Sequence, residues 1–220
     1  MMRERAAKYG NREVYRYRKN GEKHFSPISW NELITETETV SAALLSMGFG
    51  TGSNIGIFSN NRPEWSFTDY GILGIRGVVV PFFGTATKEQ VKYIVDETKM
   101  ELMFVGNQEQ LDKAKWVLSN SQSLKKIVVY DPTVKINNEH CLTWQEFKKA
   151  GSNRENKTRF LQVLEEVQPD DLATILYTSG TTGEPKGVML GHDNFMFCFG
   201  IHDKRLDVTD QDVSMAFLPL

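Results

Sequence analysis

The chain has 220 residues, of which 40% are hydrophobic and 25% charged, an ordinary composition for a globular protein with a buried core. Its net charge of −2 leaves no basic excess for neutralising phosphates, so we expect no nucleic-acid partner. Its two cysteines, Cys141 and Cys198, form no CxxC pattern and fit a reducing compartment such as the cytoplasm. The most apolar run, residues 71–84, contains Arg76 and is too short to span a bilayer.

The first half of the chain alternates predicted strands with predicted helices. Asn20-Gly21 predicts a strand hairpin, and a capping box at Ser29–Glu32 begins a helix that ends near Gly48. Further helices begin near residues 61, 87 and 108, and the predicted strands are 54–59, 77–83, 101–105 and 126–130. This alternation predicts an α/β fold with a parallel sheet flanked by helices. Ligands of such sheets bind at the carboxyl ends of the strands.

The pattern changes after Asp131, so we divide the chain into four segments. Helices are predicted from residue 143 and at 159–167, and a helix with Phe195, Phe199 and Ile201 on its apolar face is predicted over 192–203. Residues 212–218 predict a last strand. The segments are 1–28, an N-terminal hairpin; 29–131, an α/β subdomain; 132–169, a connection; and 170–220, the start of a second, incomplete subdomain.

The segment whose residue types best fit a binding or catalytic site is a loop between a predicted strand at 172–177 and a second at 187–190. Its glycines let backbone N–H groups approach a polyphosphate, its hydroxyls donate hydrogen bonds, and its lysine supplies a cation. Pro185 precedes the lysine and Gly187 follows it, so this is not the common NTPase loop. The other interpretation is a plain turn with an exposed lysine. The candidate residues are Thr178, Ser179, Gly180, Thr181, Thr182, Gly183 and Lys186.

Other candidate sites are weaker, and we predict no metal site from them. His192, Cys198 and His202 share one predicted helix, but two residues on one face do not complete a zinc site. Asp170 and Asp171 fit a turn with solvated acids better than a magnesium site. No nucleophile-elbow or Gly-x-Gly-x-x-Gly pattern occurs.

The ordered string from Tyr177 to Val188, Tyr-Thr-Ser-Gly-Thr-Thr-Gly-x-Pro-Lys-Gly-Val, resembles the signature of the adenylate-forming (AMP-binding) superfamily. Three earlier blocks look like those of the long-chain fatty acid–CoA ligases, and with the loop they cover roughly residues 25–220. These blocks are Ser29-Trp30-x-Glu32-Leu33, Asn61-Arg62-Pro63-Glu64-Trp65 and Val80-Pro81. Gly191 departs from the family, which usually has Thr or Ser before the histidine.

The resemblance implies an enzyme that activates a fatty acid with Mg²⁺-bound ATP and transfers the acyl group from the adenylate to coenzyme A. It implies that the seven loop residues hold the β- and γ-phosphates, with Lys186 and Thr182 as the catalytic ones. It also implies that residues 1–220 are an N-terminal part that is inactive alone. Two alternatives stay open: an enzyme that loads a carrier protein, and a non-catalytic nucleotide-binding module. The sequence leaves peripheral membrane contact open and sets neither acyl length nor oligomeric state.

Overall fold

A computed structural model describes residues 2–18, 22–152, 154–178 and 185–216. The described residues form eight helices and nine strands. The helices are α1 (Met2–Tyr9), α2 (Trp30–Ser46), α3 (Pro63–Leu73), α4 (Lys88–Thr98), α5 (Gln108–Asn120), α6 (Trp144–Ala150), α7 (Arg154–Glu165) and α8 (His192–Arg205). The strands are β1 (Glu13–Tyr17), β2 (Ser26–Ser29), β3 (Asn54–Phe58), β4 (Val78–Phe82), β5 (Leu102–Val105), β6 (Lys126–Val129), β7 (Cys141–Thr143), β8 (Leu172–Thr178) and β9 (Lys186–Gly191).

Seven strands form one sheet in the order β7-β6-β5-β3-β4-β8-β9. Neighbouring strands from β7 to β8 are parallel, and β9 runs antiparallel to β8. β5 is buried along its whole length, and β3 is buried at every position after Asn54. Strands buried on both faces need apolar side chains throughout, which explains their continuous apolar runs. The predicted parallel sheet is therefore confirmed.

The core lies on both faces of the sheet, as two hydrophobic clusters. Successive residues of one strand enter different clusters: Phe104 packs with α2, α3 and α6, whereas Met103 packs with α4 and α5. This alternation follows from the two-residue period of a strand, which points neighbouring side chains to opposite faces. Helices thus cover both faces, as the sequence predicts.

The predicted start of the chain is also confirmed in its described part. β1 and β2 pair as an antiparallel hairpin, while Asn20-Gly21 falls outside the described residues. At the start of α2, the Ser29 N–H donates to Glu32 Oε2 at 2.8 Å and the Glu32 N–H donates to Ser29 Oγ at 3.2 Å. The helix ends just before Gly48, whose φ of 88° suits a residue without a side chain.

Local patterns miss two elements, α1 and β7, and misplace the start of a third, α7. α1 is charged and buries only Ala6; it is held by packing on α2, including a stack of Tyr9 on Trp30 with ring centroids 5.9 Å apart. β7 has three residues and owes its strand conformation to pairing with β6. α7 begins at Arg154, five residues before the predicted start. In each case tertiary packing adds structure that the local sequence does not specify.

The end of the chain differs from the prediction. Residues 212–216 form no strand, and Val213 and Met215 are exposed. An apolar run becomes a strand only where it pairs with another strand, and residues 212–216 pair with no strand of the described sheet. On α8 no residue is buried, so the expected apolar face of Phe195, Phe199 and Ile201 lies exposed.

The four-segment division of the chain stays a prediction. The sheet itself runs across its boundaries, because β7 from the connection and β8 from the last segment both join it.

Candidate functional site

The candidate site is the hairpin formed by β8 and β9. The last pairs before its loop set Tyr177 opposite Gly187 and Thr178 opposite Lys186. Thr178 and Lys186 are exposed, and among the described residues neither side chain has a hydrogen bond or an ion pair. The structure therefore brings these two predicted residues together. The other five, Ser179, Gly180, Thr181, Thr182 and Gly183, fall outside the described residues.

The end of the hairpin that carries Thr178 and Lys186 lies at the carboxyl edge of the sheet. Because β8 runs parallel to β4, its final residue Thr178 lies at the same edge as the carboxyl ends of the other parallel strands. This is the edge at which α/β sheets bind ligands.

The crevice between the carboxyl ends of β3 and β5, where the chain reverses its direction of winding, is filled by the protein's own polar groups. The Arg62 guanidinium donates to the Gly106 carbonyl at 2.8 Å, and the Gly106 N–H donates to Gln110 Oε1 at 3.0 Å. Gln110 Nε2 donates in turn to the Gly84 carbonyl at 3.3 Å. A Cβ on Gly84 would lie 2.0 Å from the Asn60 side chain, so there is no room for a larger residue. The hairpin, rather than this crevice, is the open part of the edge.

The hairpin joins the sheet through one main-chain ladder pair and through side-chain packing on the hydrophobic core. β4 and β8 share one ladder pair, Val79 with Thr174, whereas β3 and β4 share five. The Thr174 hydroxyl supplements this pair by donating to the Val79 carbonyl at 2.8 Å in a buried position. Side chains therefore carry much of the attachment.

An ion pair fixes the start of β8. Arg76 Nε and Nη2 donate to the two carboxylate oxygens of Asp171 at 2.8 and 2.9 Å. Hydrogen bonding from Arg76 is the main cause that lowers the pKa of Asp171 below its ordinary value. Arg76 reaches this position from a tight turn with φ of 58°, a conformation that is unusual for a residue with a side chain. Asp171 is thus a paired group and not the solvated acid that we expect from the sequence.

The other end of the hairpin runs directly into α8. Gly191 caps this helix without a side chain, and its N–H donates to Asn194 Oδ1 at 2.8 Å. The His192 N–H donates to the Asp171 carbonyl at 3.1 Å. Backbone contacts and Asn194 therefore hold this turn at the position where the resemblance leads us to expect a hydroxyl.

Near the loop, Tyr177 connects the hairpin to α4. Its hydroxyl donates to Glu97 Oε2 at 2.5 Å. Its ring lies across Gly187, where an added Cβ would come within 3.1 Å of Tyr177 Cζ and 2.8 Å of Ile175 Cγ2. Burial, and next the Glu97 hydrogen bond, raise the pKa of Tyr177 above its ordinary value. Tyr177 therefore keeps its proton at neutral pH and acts as a donor.

Sequence reasoning misses Glu97, Arg76 and the pairing of Asp171. Arg76 carries a signal, since it is a charge inside an apolar run. Glu97 carries none, because an exposed acid on a helix surface is ordinary.

Two clefts lie elsewhere, and neither is lined by residues of the β8–β9 hairpin. One of about 870 Å³ lies between the first hairpin, α2, α3 and α6. The other, of about 550 Å³, lies between β1 and α3 and includes Asp69, whose pKa burial raises to about 7. Over the described ranges, no three His, Cys, Asp or Glu side chains are grouped closely enough to hold a metal ion. None of the helices in that part of the chain has the length and apolarity needed to cross a membrane.

Comparison with known proteins identifies the family. A family model described as AMP-binding enzyme matches residues 2–220. The long-chain-fatty-acid–CoA ligase ACSBG2 of Homo sapiens is 32% identical over 207 residues, 92% of this chain and 30% of the relative. Fatty acyl-CoA synthetase A of Dictyostelium discoideum is 31% identical over 96% of this chain and 31% of its own length. The chain thus spans slightly less than a third of these relatives.

Solved structures agree on the fold. The anthranilate CoA ligase AuaEII in complex with anthranoyl-AMP superposes with a TM-score of 0.74 at 19% identity, over 89% of this chain and 35% of that one. Coronafacic acid ligase from Pectobacterium brasiliense superposes with a TM-score of 0.71 at 18% identity, over 94% of this chain and 37% of that one. With the family model matching nearly every residue, the chain belongs to the AMP-binding enzyme family of adenylate-forming ligases.

Proposed function

We propose that the whole protein activates a long-chain fatty acid in two steps. A carboxylate oxygen of the acid attacks the α-phosphorus of ATP, which releases pyrophosphate and forms an acyl-adenylate. The thiolate of coenzyme A then attacks the acyl carbon, and AMP leaves as the thioester forms. Fatty acids are named as substrates by the relatives from Homo sapiens and Dictyostelium discoideum, whose names include a fatty acid or fatty acyl group.

The observation that carries this proposal is the pairing of Thr178 with Lys186 at the carboxyl edge of the sheet. The pair sets an exposed hydroxyl and an exposed ammonium group at the two ends of the loop. Phosphoryl displacement depends on positioning and on neutralising the charge that develops on the leaving group. Lys186 supplies the positive charge that neutralises the leaving group. The hydrogen-bond donors to the β- and γ-phosphates come from Thr178, Ser179, Gly180, Thr181, Thr182 and Gly183.

Magnesium is proposed as the counter-ion that arrives with ATP. The described residues contain no cluster of three metal-binding side chains, so we assign it no ligand and derive no step from it. The free cysteines, Cys141 and Cys198, fit a cytoplasmic enzyme, which reaches fatty acids at a membrane surface by peripheral contact. Because the chain spans about 30% of its relatives' length, we also propose that residues 1–220 alone form no thioester.

The test is carboxylate-dependent exchange between ATP and pyrophosphate by the full-length gene product, across short, medium and long fatty acids and amino acids. Exchange with long fatty acids, followed by AMP release on adding coenzyme A, is the expected result. Exchange with long fatty acids, but no AMP release on adding coenzyme A, would favour a carrier protein as the acceptor. ATP binding without exchange for any acid would favour the non-catalytic module. Thioester formation by residues 1–220 alone would overturn the last part of the proposal.

A further inference from the structure

The hairpin is attached to the rest of the fold at three heights along β8. Arg76 holds Asp171 at its start, the Val79–Thr174 pair holds its middle, and Glu97 holds Tyr177 near the loop. The first two contacts lie at Asp171, just before β8, and at Thr174 in its first half, so they position the beginning of this strand. The contact of Glu97 with Tyr177 is the one beside the candidate site, because Tyr177 directly precedes Thr178.

The Glu97–Tyr177 contact is built to fix a position. The distance of 2.5 Å is that of a short hydrogen bond to a carboxylate, which is roughly twice as strong as a neutral one. The Tyr177 ring is packed over Gly187 on the facing strand, so the contact restrains β9 as well as β8. Lys186 is the neighbour of Gly187, and through this ring its backbone is tied to α4.

We propose that Glu97 is a positioning residue for the β8–β9 hairpin, acting through Tyr177 to hold the Thr178–Lys186 pair in its binding position. This inference rests on the proposed function of the hairpin. Glu97 touches neither nucleotide nor acyl group, and it lies 80 positions before Tyr177 and outside the loop motif. Without it, the hairpin keeps the Val79–Thr174 pair and the packing of Ile175, but the Thr178–Lys186 pair is held less firmly and occupies its binding position for a smaller fraction of the time.

The consequence is a specific loss of nucleotide affinity. An apparent affinity falls in proportion to the fraction of molecules in the competent position. Losing one hydrogen bond to a charged group lowers the ratio of competent to displaced molecules by about tenfold, so the apparent affinity falls by up to about tenfold. The carboxylic acid substrate does not contact the loop in the proposed reaction, so its affinity is expected to stay the same.

The test uses the full-length protein and its exchange of ATP with pyrophosphate. We expect Glu97→Ala and Tyr177→Phe each to raise the KM for ATP by up to about tenfold, with the KM for the acid unchanged. Because both changes remove the same bond, the double variant should be no worse than either single one. Glu97→Gln keeps an acceptor oxygen and should recover most of the affinity. Glu89→Ala, an exposed acid on the same helix, is the matched control and should have no effect.

Two results with these variants would overturn the inference. One is a double variant whose effect is the product of the single effects. The other is an unchanged KM for ATP alongside a lower unfolding temperature, which would make the contact merely structural.

Hydrogen exchange separates this inference from the proposed function. In Glu97→Ala, the amides of β9 should exchange about tenfold faster, while those of β3 and β5 keep the wild-type rate. If the wild-type protein shows no exchange of ATP with pyrophosphate, the proposed function fails but this measurement still decides whether Glu97 positions the hairpin. Wild-type rates throughout β9 in Glu97→Ala would refute the positioning role in either case.

Discussion

The strands from β7 to β4 and the β8–β9 hairpin belong to one sheet but are held by different means. Each neighbouring pair among the first five strands shares three to five ladder pairs, and their side chains fill both hydrophobic clusters. The hairpin shares one ladder pair with that sheet, and side chains complete its attachment through the packing of Ile175 and through polar contacts from Arg76 and Glu97. Segments that move in ligand binding are drawn from the less stable parts of a fold. We therefore expect changes in the first region to affect mainly stability and changes in the second to affect mainly the proposed function.

The largest expected effect tests the stable region. Phe104 is fully buried on β5 and packs against the rings of Tyr130, Trp144 and Phe147, with centroids 5.7, 6.2 and 5.0 Å away. We expect Phe104→Ala to lower the free energy of unfolding by about 3–5 kcal/mol, because it leaves a cavity among rigid neighbours. Urea unfolding measures this.

The control for that change is Phe25→Ala. Phe25 is 60% exposed, and its loss should alter stability by less than about 0.5 kcal/mol. A loss below about 1 kcal/mol for Phe104→Ala would mean that the aromatic cluster is not the centre of the core.

The next change tests the functional region. We expect Lys186→Ala in the full-length protein to slow exchange of ATP with pyrophosphate by about 100-fold, because it removes charge stabilisation from the departing phosphates. The free energy of unfolding should change by less than about 0.5 kcal/mol, since the side chain is exposed. Lys135→Ala, another exposed lysine, is the control. A large loss of stability with normal turnover would reverse the roles of the two regions.

A pH-dependent effect is expected from Asp69 on α3. Burial raises its pKa from 3.8 to about 7, so the folded protein keeps a proton that the unfolded chain releases near pH 4. Folding stability is therefore lost as the pH rises from about 4 to about 7. We expect Asp69→Asn to be more stable than wild type by about 1–3 kcal/mol at pH 8 and to match it near pH 4. Chemical unfolding at both pH values measures this.

The exposed Asp112 supplies the control, and Asp112→Asn should follow the wild-type pH dependence. Stability curves for wild type and Asp69→Asn that stay parallel from pH 4 to 8 would contradict the raised pKa.

The smallest expected effect concerns the lower attachment of the hairpin. The Arg76 and Asp171 side chains are 19% and 15% exposed, so solvent weakens their pair. We expect Asp171→Asn to lower the free energy of unfolding by about 1 kcal/mol at pH 7. The lowered pKa of Asp171 means that its contribution is present above pH 4 and is lost as the pH falls through the folded value.

Hydrogen exchange checks where the Asp171→Asn effect lies. Faster exchange in β8 and β9, with β3 and β5 unchanged, is the expected result. Equal acceleration in all four strands would show that the hairpin is no looser than the sheet.

Local signals predict most of the stable region, because its strands are continuous apolar runs and its helices begin with recognisable caps. Thr87 with Gln90, for example, forms the same reciprocal cap as Ser29 with Glu32. The parallel direction of the strands follows from the alternation of strands and helices along the chain. The family string also predicts the Thr178–Lys186 hairpin.

The attachments of the hairpin follow from no local signal. Glu97 meets Tyr177 across 80 positions, and Arg76 meets Asp171 across 95. Such contacts depend on where the sheet places two distant segments. A single sequence, read by itself, carries no signal of that placement. Residues 212–216, the described part of the strand predicted at 212–218, form no strand for the same reason, since strand formation requires a partner.

The exposed apolar surface of α8 and β9 has a practical consequence for handling the protein. Met189, Met196 and Phe197 are 65%, 59% and 74% exposed, and β9 is the last strand of the described sheet. An unpaired strand edge beside exposed apolar side chains favours self-association. The apparent molar mass of the 220-residue chain in light scattering should therefore rise with concentration, and Met189→Lys on the open strand should reduce that rise. Solubility, as much as activity, will decide what length of this protein is useful in the laboratory.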